Sequence, residues 1–160
     1  MFRVLVLAGL FGIAGSLLLV MGEDPTPRVF TAAQAEAGRK AYDNSCGKCH
    51  TYNLLGRNGA DGELPPVSSL PASYQEFIGK AKRVPPLAGK DFLSRWGPKT
   101  AAQLIARFEV TAKDPSFQFE GMTNDTVVNI TAYALQMSGA KPGTERLSRT
   151  TSAVIDSLVP

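Results

Sequence analysis

The chain of 160 residues holds two cysteines and one histidine, and all three fall within Cys46-Gly47-Lys48-Cys49-His50. Two thiols three residues apart lie on one edge of a helical turn, and an imidazole directly after the second closes that turn. Covalent attachment of haem needs this combination, because each thiol can add to a vinyl group while the imidazole reaches the iron. Other uses of the same residues fit less well. A thioredoxin-type redox pair requires a strand before it and a helix after it, whereas Tyr42-Asp43-Asn44-Ser45 closes a helical stretch. A structural zinc site requires four ligands, and the chain has no further Cys or His. A simple disulfide would leave His50 without a role.

The elements that must position this turn are legible as helices. Thr31-x-x-Gln34 is a capping box opening a helix that carries Gly38 and Tyr42 and runs into the pentapeptide. A second capping box, Thr100-x-x-Gln103, opens a helix with Ala101, Leu104, Ile105 and Phe108 on one face. A third helix starts at Thr123 and carries Val127, Ile130, Tyr133, Ala134 and Met137 at spacings of three and four, an apolar stripe suited to packing on the first helix. With 44% hydrophobic and 19% charged residues the chain suits one globular domain. Its 15 Gly and 11 Pro point to a surface rich in loops and argue against a large regular sheet. A net charge of +3, with no basic stripe, does not argue for nucleic acid.

With the pentapeptide in place, the chain resembles class I (monohaem) cytochromes c over about residues 31–147. Gly38 and Tyr42 match the glycine and aromatic at which the family's N-terminal helix crosses the C-terminal one. Pro85-Pro86-Leu87-Ala88-Gly89 resembles the family's Pro-x-Leu-x-Gly loop, and Lys90-Asp91-Phe92-Leu93-Ser94-Arg95-Trp96 looks like a short helix of the cytochrome domains associated with quinoprotein alcohol dehydrogenases. The resemblance implies an all-α fold with its N- and C-terminal helices crossing and haem c in the pocket between them. It implies Cys46 and Cys49 as covalent tethers and His50 as proximal iron ligand. Pro85 would offer its carbonyl to the outer nitrogen of His50, and Leu87 and Trp96 would line the pocket.

The chain departs from the family in two places. A distal methionine is usual about six residues before the C-terminal helix, yet that count lands on Ser116 and Phe117. Met1 and Met21 belong to the apolar leader and Met137 lies late in a helix, so Met122 is the one candidate. It has two readings, a distal iron ligand or a hydrophobic staple before the Thr123 cap. Lys113 is a further distal candidate, if deprotonated. The second departure is the insert 51–84, longer than an ordinary loop and thus a candidate partner-docking surface. It contains the turn-forming stretch Gly56 to Gly62, a short helix between Pro71 and Arg83, and Asp61 and Glu63, two acids without an EF-hand pattern that are either solvated or a calcium site.

Position in the cell is written at the N-terminus. Arg3 precedes an uncharged run from Val4 to Met21, about 18 residues and about 27 Å as a helix, before Glu23 and Asp24. This is a retained transmembrane anchor or a cleaved signal peptide over 1–22, with a linker at 23–30. Either form leaves the haem domain on the periplasmic side, membrane-anchored in one case and soluble in the other. Residues 148–160 read as an extended tail, draped over the domain or bound to a partner. Between Lys80 and Lys99 six basic residues face one acid, Asp91, which suits steering of an acidic redox partner or simple solvation. The expected activity is single-electron transfer between redox partners within a larger membrane complex, with no substrate bond broken. The alternative is a haem-based sensor or peroxidase-like catalyst with an open distal site.

Overall fold

The computed structural model describes residues 26–58, 64–79, 83–115 and 119–160. The apolar run at 4–21, Asp61 and Glu63, Lys80 and Lys82, and Ser116 and Phe117 lie outside the described residues. The described chain is all-α. Six helices follow one another: α1 (Ala32–Asn44), α2 (Gly47–His50), α3 (Ala72–Ile78), α4 (Lys90–Trp96), α5 (Ala101–Ala112) and α6 (Asn124–Met137). Among the described residues extended pairing is limited to isolated bridges, Thr31 with Gly143, Arg57 with Val84 and Thr100 with Val154. No described helix is long and apolar enough to cross a membrane.

Both capping boxes form. The Thr31 hydroxyl accepts from the Gln34 amide at 3.1 Å while the Gln34 side chain accepts from Thr31 N–H at 3.2 Å, and Thr100 with Gln103 repeats the pattern. Each box satisfies two of the four N–H groups that a helix start leaves without intrahelical partners. Thr123 caps α6 through the Thr126 amide.

Helices α1 and α6 cross at Gly38. A Cβ built there would lie 1.8 Å from the Asn129 carbonyl oxygen, so only a residue without a side chain lets the two backbones approach this closely. One turn on, Tyr42 meets Tyr133 edge to face, with ring centroids 5.5 Å apart. This contact belongs to a cluster formed by Tyr42, Leu54, Ala88, Ile130, Tyr133 and Ala134. A larger cluster lies beyond it, where Phe30, Phe92, Leu104, Ile105 and Leu135 pack together. Phe108 and Met122 touch both. Along α6, Val127, Ile130, Tyr133 and Ala134 are buried, but Met137, its last residue, is 41% exposed, the burial at this end passing instead to Leu135, Ser138 and Ala140.

The C-terminal segment is draped over the domain and built into it. Leu147, Ile155 and Leu158 are buried in the larger cluster. Ala153 and Thr151 carbonyls accept from the Ala101 and Ala102 amides, finishing the start of α5, while Ile155 and Asp156 amides donate to the Lys99 and Gly97 carbonyls. Gln34 binds Leu147 in both directions, its Nε2 donating to the carbonyl at 3.0 Å and its Oε1 accepting from the amide at 2.9 Å. Arg149 pairs at 2.8 Å with Glu109, a buried acid on α5.

Candidate haem-attachment site

The chain breaks at Ser45, whose φ of −129° and ψ of −86° leave the helical region and end α1, and resumes as the single turn α2. Ser45 Oγ donates to the Ala41 carbonyl at 2.7 Å and lies 3.5 Å from Cys46 Sγ. Tyr42 sits beneath the turn, with no room for a Cβ on Gly47 that would not press on its ring at 3.2 Å. Cys46 and Cys49 are both half-buried free thiols. Burial raises both thiol pKa values, opposed at Cys46 by the Ser45 hydrogen bond and at Cys49 by the Arg57 charge.

His50 follows directly. Its Nδ1 lies 2.8 Å from the Pro85 carbonyl oxygen. A neutral ring donating there presents Nε2 as a lone-pair donor, which is the tautomer a metal ligand needs. Desolvation favours that neutral form and lowers the pKa to about 4, against the opposing pull of the Pro85 carbonyl.

Pro85 is held in position by the first part of the insert. Leu87 N–H donates to the Leu54 carbonyl at 2.7 Å, and Arg57 and Val84 exchange backbone hydrogen bonds at 3.0 and 3.2 Å. Gly56, at φ 78°, runs against this segment so closely that a Cβ would lie 2.1 Å from the Val84 oxygen. Thr51 and Leu54 adopt left-handed φ values of 67° and 62° without being glycine, a conformation that persists only where the surroundings over-determine it. They do so here. Tyr42 hydroxyl donates to the Thr51 carbonyl at 2.6 Å, Leu54 is fully buried, and Gly56 N–H returns to the His50 carbonyl at 3.0 Å.

Cys46, Leu87 and Met122 pack against the same small apolar cluster, so the two helical ends, the proline loop and the segment before α6 converge. A cleft of about 960 Å³ opens beside them, between Ala41, Ser45 and Lys48 on one side and Tyr74 and Phe119 to Met122 on the other. Met122 is half-buried and faces both the cleft and the clusters. Trp96 stands apart from Cys46 and Leu87, packed on the larger cluster with the Lys99 ammonium 6.0 Å above its ring. Lys113 is the exposed C-cap of α5. Among the described residues no group of three or more His, Cys, Asp and Glu side chains gathers to hold a metal ion.

The donor set fits haem c. There are two unpaired thiols one helical turn apart, an imidazole whose outer nitrogen is already engaged, an apolar wall and a thioether facing it. Three participants carried no mark in the sequence: the Tyr42 hydroxyl, the Gly56 amide and Arg57, whose guanidinium reaches the Lys48 and Cys49 carbonyls. In comparisons with family models, characterised proteins and solved structures, the chain matches none.

Proposed function

We propose that the chain is a class I-type monohaem cytochrome c that passes single electrons between redox partners. The observation that carries this reading is the His50–Pro85 hydrogen bond of 2.8 Å, which fixes the imidazole tautomer directly after two free thiols on one helical turn. Haem bound here supplies a one-electron iron couple. Cys46 and Cys49 would tether it, His50 would ligate its iron through Nε2, and Pro85 would strengthen that ligand by accepting from Nδ1. Met122, half-buried beside the cleft, would be the residue to offer a thioether to that iron, a ligand that favours the reduced state and suits electron transfer. Leu87 and the Tyr42–Tyr133 cluster would exclude water from the bound group and lower the local dielectric, and the cleft beside Ser45 and Lys48 would give a partner access for electron exit.

The protein acts on the periplasmic side of a membrane, held there by its N-terminal apolar run as a subunit of a larger electron-transfer complex. The insert and the basic residues Arg83, Lys90, Arg95 and Lys99 offer an acidic partner its docking face. The test is the optical spectrum of the purified protein, oxidised and reduced. A haem that stays with the chain on denaturation, a low-spin spectrum lost in His50→Ala, and a thioether band lost in Met122→Ala are expected. A high-spin haem that takes up carbon monoxide readily when reduced would replace the carrier reading with the sensor or catalyst reading.

A further inference from the structure

We propose that Arg57 is a positioning residue for His50, clamping the haem-attachment turn to the segment that orients its imidazole. The inference rests on the haem reading above. Helix α2 is only four residues long, so its terminal carbonyls have no further helical N–H to receive. Arg57 supplies donors in their place: Nε donates to the Cys49 carbonyl at 3.0 Å and Nη2 to the Lys48 carbonyl at 3.2 Å. A cation at a helix C-terminus is also favourably placed for the peptide dipoles.

The Cys49 carbonyl belongs to the peptide group that carries the His50 nitrogen. The next carbonyl, that of His50 itself, accepts from Gly56 N–H at 3.0 Å. Consecutive residues of the insert thus grip both peptide groups flanking His50. The Arg57 backbone pairs in both directions with Val84, the neighbour of Pro85, whose carbonyl holds Nδ1. The main chain of His50 and its ring are therefore referred to one residue. At its far side the guanidinium is itself anchored, Nη1 donating to Ser69 Oγ at 2.9 Å, and that hydroxyl donating to the Pro66 carbonyl at 2.7 Å. The planar fork of arginine can bridge three acceptors at fixed angles, which the single ammonium of lysine cannot.

This clamp does more than staple the insert. If the plane of the axial imidazole depends on it, loss of the fork must alter the electronic asymmetry at the iron, and loss of the positive charge must lower the reduction potential. The experiment uses the full-length holoprotein and four variants: Arg57→Ala, Arg57→Lys, Ser69→Ala and Arg149→Ala. It reads the ferric haem-methyl proton shifts, which report the imidazole plane, together with the midpoint potential. Arg57→Ala should change the methyl pattern and lower the potential. Arg57→Lys should recover most of the potential and little of the pattern. Ser69→Ala, which removes the outer anchor of the guanidinium, should shift the methyl pattern part of the way seen in Arg57→Ala, whereas Arg149→Ala, a stability control on the Glu109 pair, should leave both as in the wild type. A wild-type methyl pattern in Arg57→Ala overturns the inference. Should that variant fail to fold, a wild-type pattern in Arg57→Lys does the same. Amide exchange at Gly56 is measured in parallel on haem-free protein and should rise about tenfold in Arg57→Ala. Unchanged exchange refutes the clamp even if the wild type carries no haem, so failure of the clamp and failure of the haem reading are told apart.

Discussion

Replacing Gly38 by alanine pits two effects of opposite sign against each other. Taken alone, alanine in a helix interior is favoured over glycine by about 0.5–1 kcal/mol. The crossing opposes this, because the new Cβ would lie 1.8 Å from Asn129 O, 2.4 Å from Asn129 C and 2.9 Å from Ile130 N. All three are backbone atoms, so no side chain can turn aside. Restoring an ordinary 3.4 Å contact requires α1 and α6 to part by about 1.6 Å, and a gap of about half that already forfeits a quarter to a half of the dispersion energy across the seam. Overpacking of this kind costs about 3 kcal/mol, at the upper end of the usual range. The net expectation is a loss of about 2 kcal/mol, or a fall in melting temperature of about 4–8 °C for a domain of this size. Thermal denaturation followed by far-ultraviolet circular dichroism measures it, and Gly38→Val should lose more than Gly38→Ala. A Gly38→Ala protein as stable as the wild type, or more so, would show that the helices do not touch at this residue and would refute the crossing.

Two further outcomes follow from the same kind of reasoning. Tyr42→Phe keeps the ring contact with Tyr133 but takes the hydroxyl from the Thr51 carbonyl, which should cost about 1–2 kcal/mol by urea denaturation, and an unchanged midpoint would mean the strained turn needs no such brace. Deleting residues 148–160 uncovers the sites of Ile155 and Leu158, each worth about 1.5–3 kcal/mol of burial, and removes the acceptors for the start of α5, so the shortened chain should lose cooperative melting. A sharp melt in that variant would refute the tail's place in the core.

What was legible in the sequence was local. The capping boxes at Thr31 and Thr100 show because a side chain and an amide three residues apart must meet in any helix start. The stripe of α6 shows because its period matches a buried face, and it fails at Met137 because in the last turn the buried positions are Leu135 and Ser138 rather than the next step of the stripe. The short helix after Pro71 ends at Gly79, whose φ of 63° is a position that glycine takes at little cost. The proximity of Pro85 to His50 came from resemblance, since no local rule links residues 35 positions apart. Arg57 was hidden for the same reason, in a stretch that reads only as a turn. Thr51 and Leu54 are β-branched and bulky residues at left-handed φ, against local preference, and only the hydrogen bonds and burial around them explain it. The tail was legible as a segment draped over the domain, but not as core, because Ile155 and Leu158 sit in an aperiodic segment where no pattern marks them as buried.

The pairing of Gln34 with Leu147 also has a kinetic side. It closes a loop of 113 residues, whose chain entropy alone amounts to about 4 kcal/mol. High contact order of this kind slows folding, because the entropy is lost before the non-local contacts compensate for it. Helix α1 can form early from its own capping box, yet its partner α6 and the C-terminal segment reach it only after most of the chain has been made. Until then the Cys46–His50 turn sits at the end of a helix with one face uncovered. The crossing of α1 and α6 that covers this turn can therefore close only once the C-terminal segment is in place.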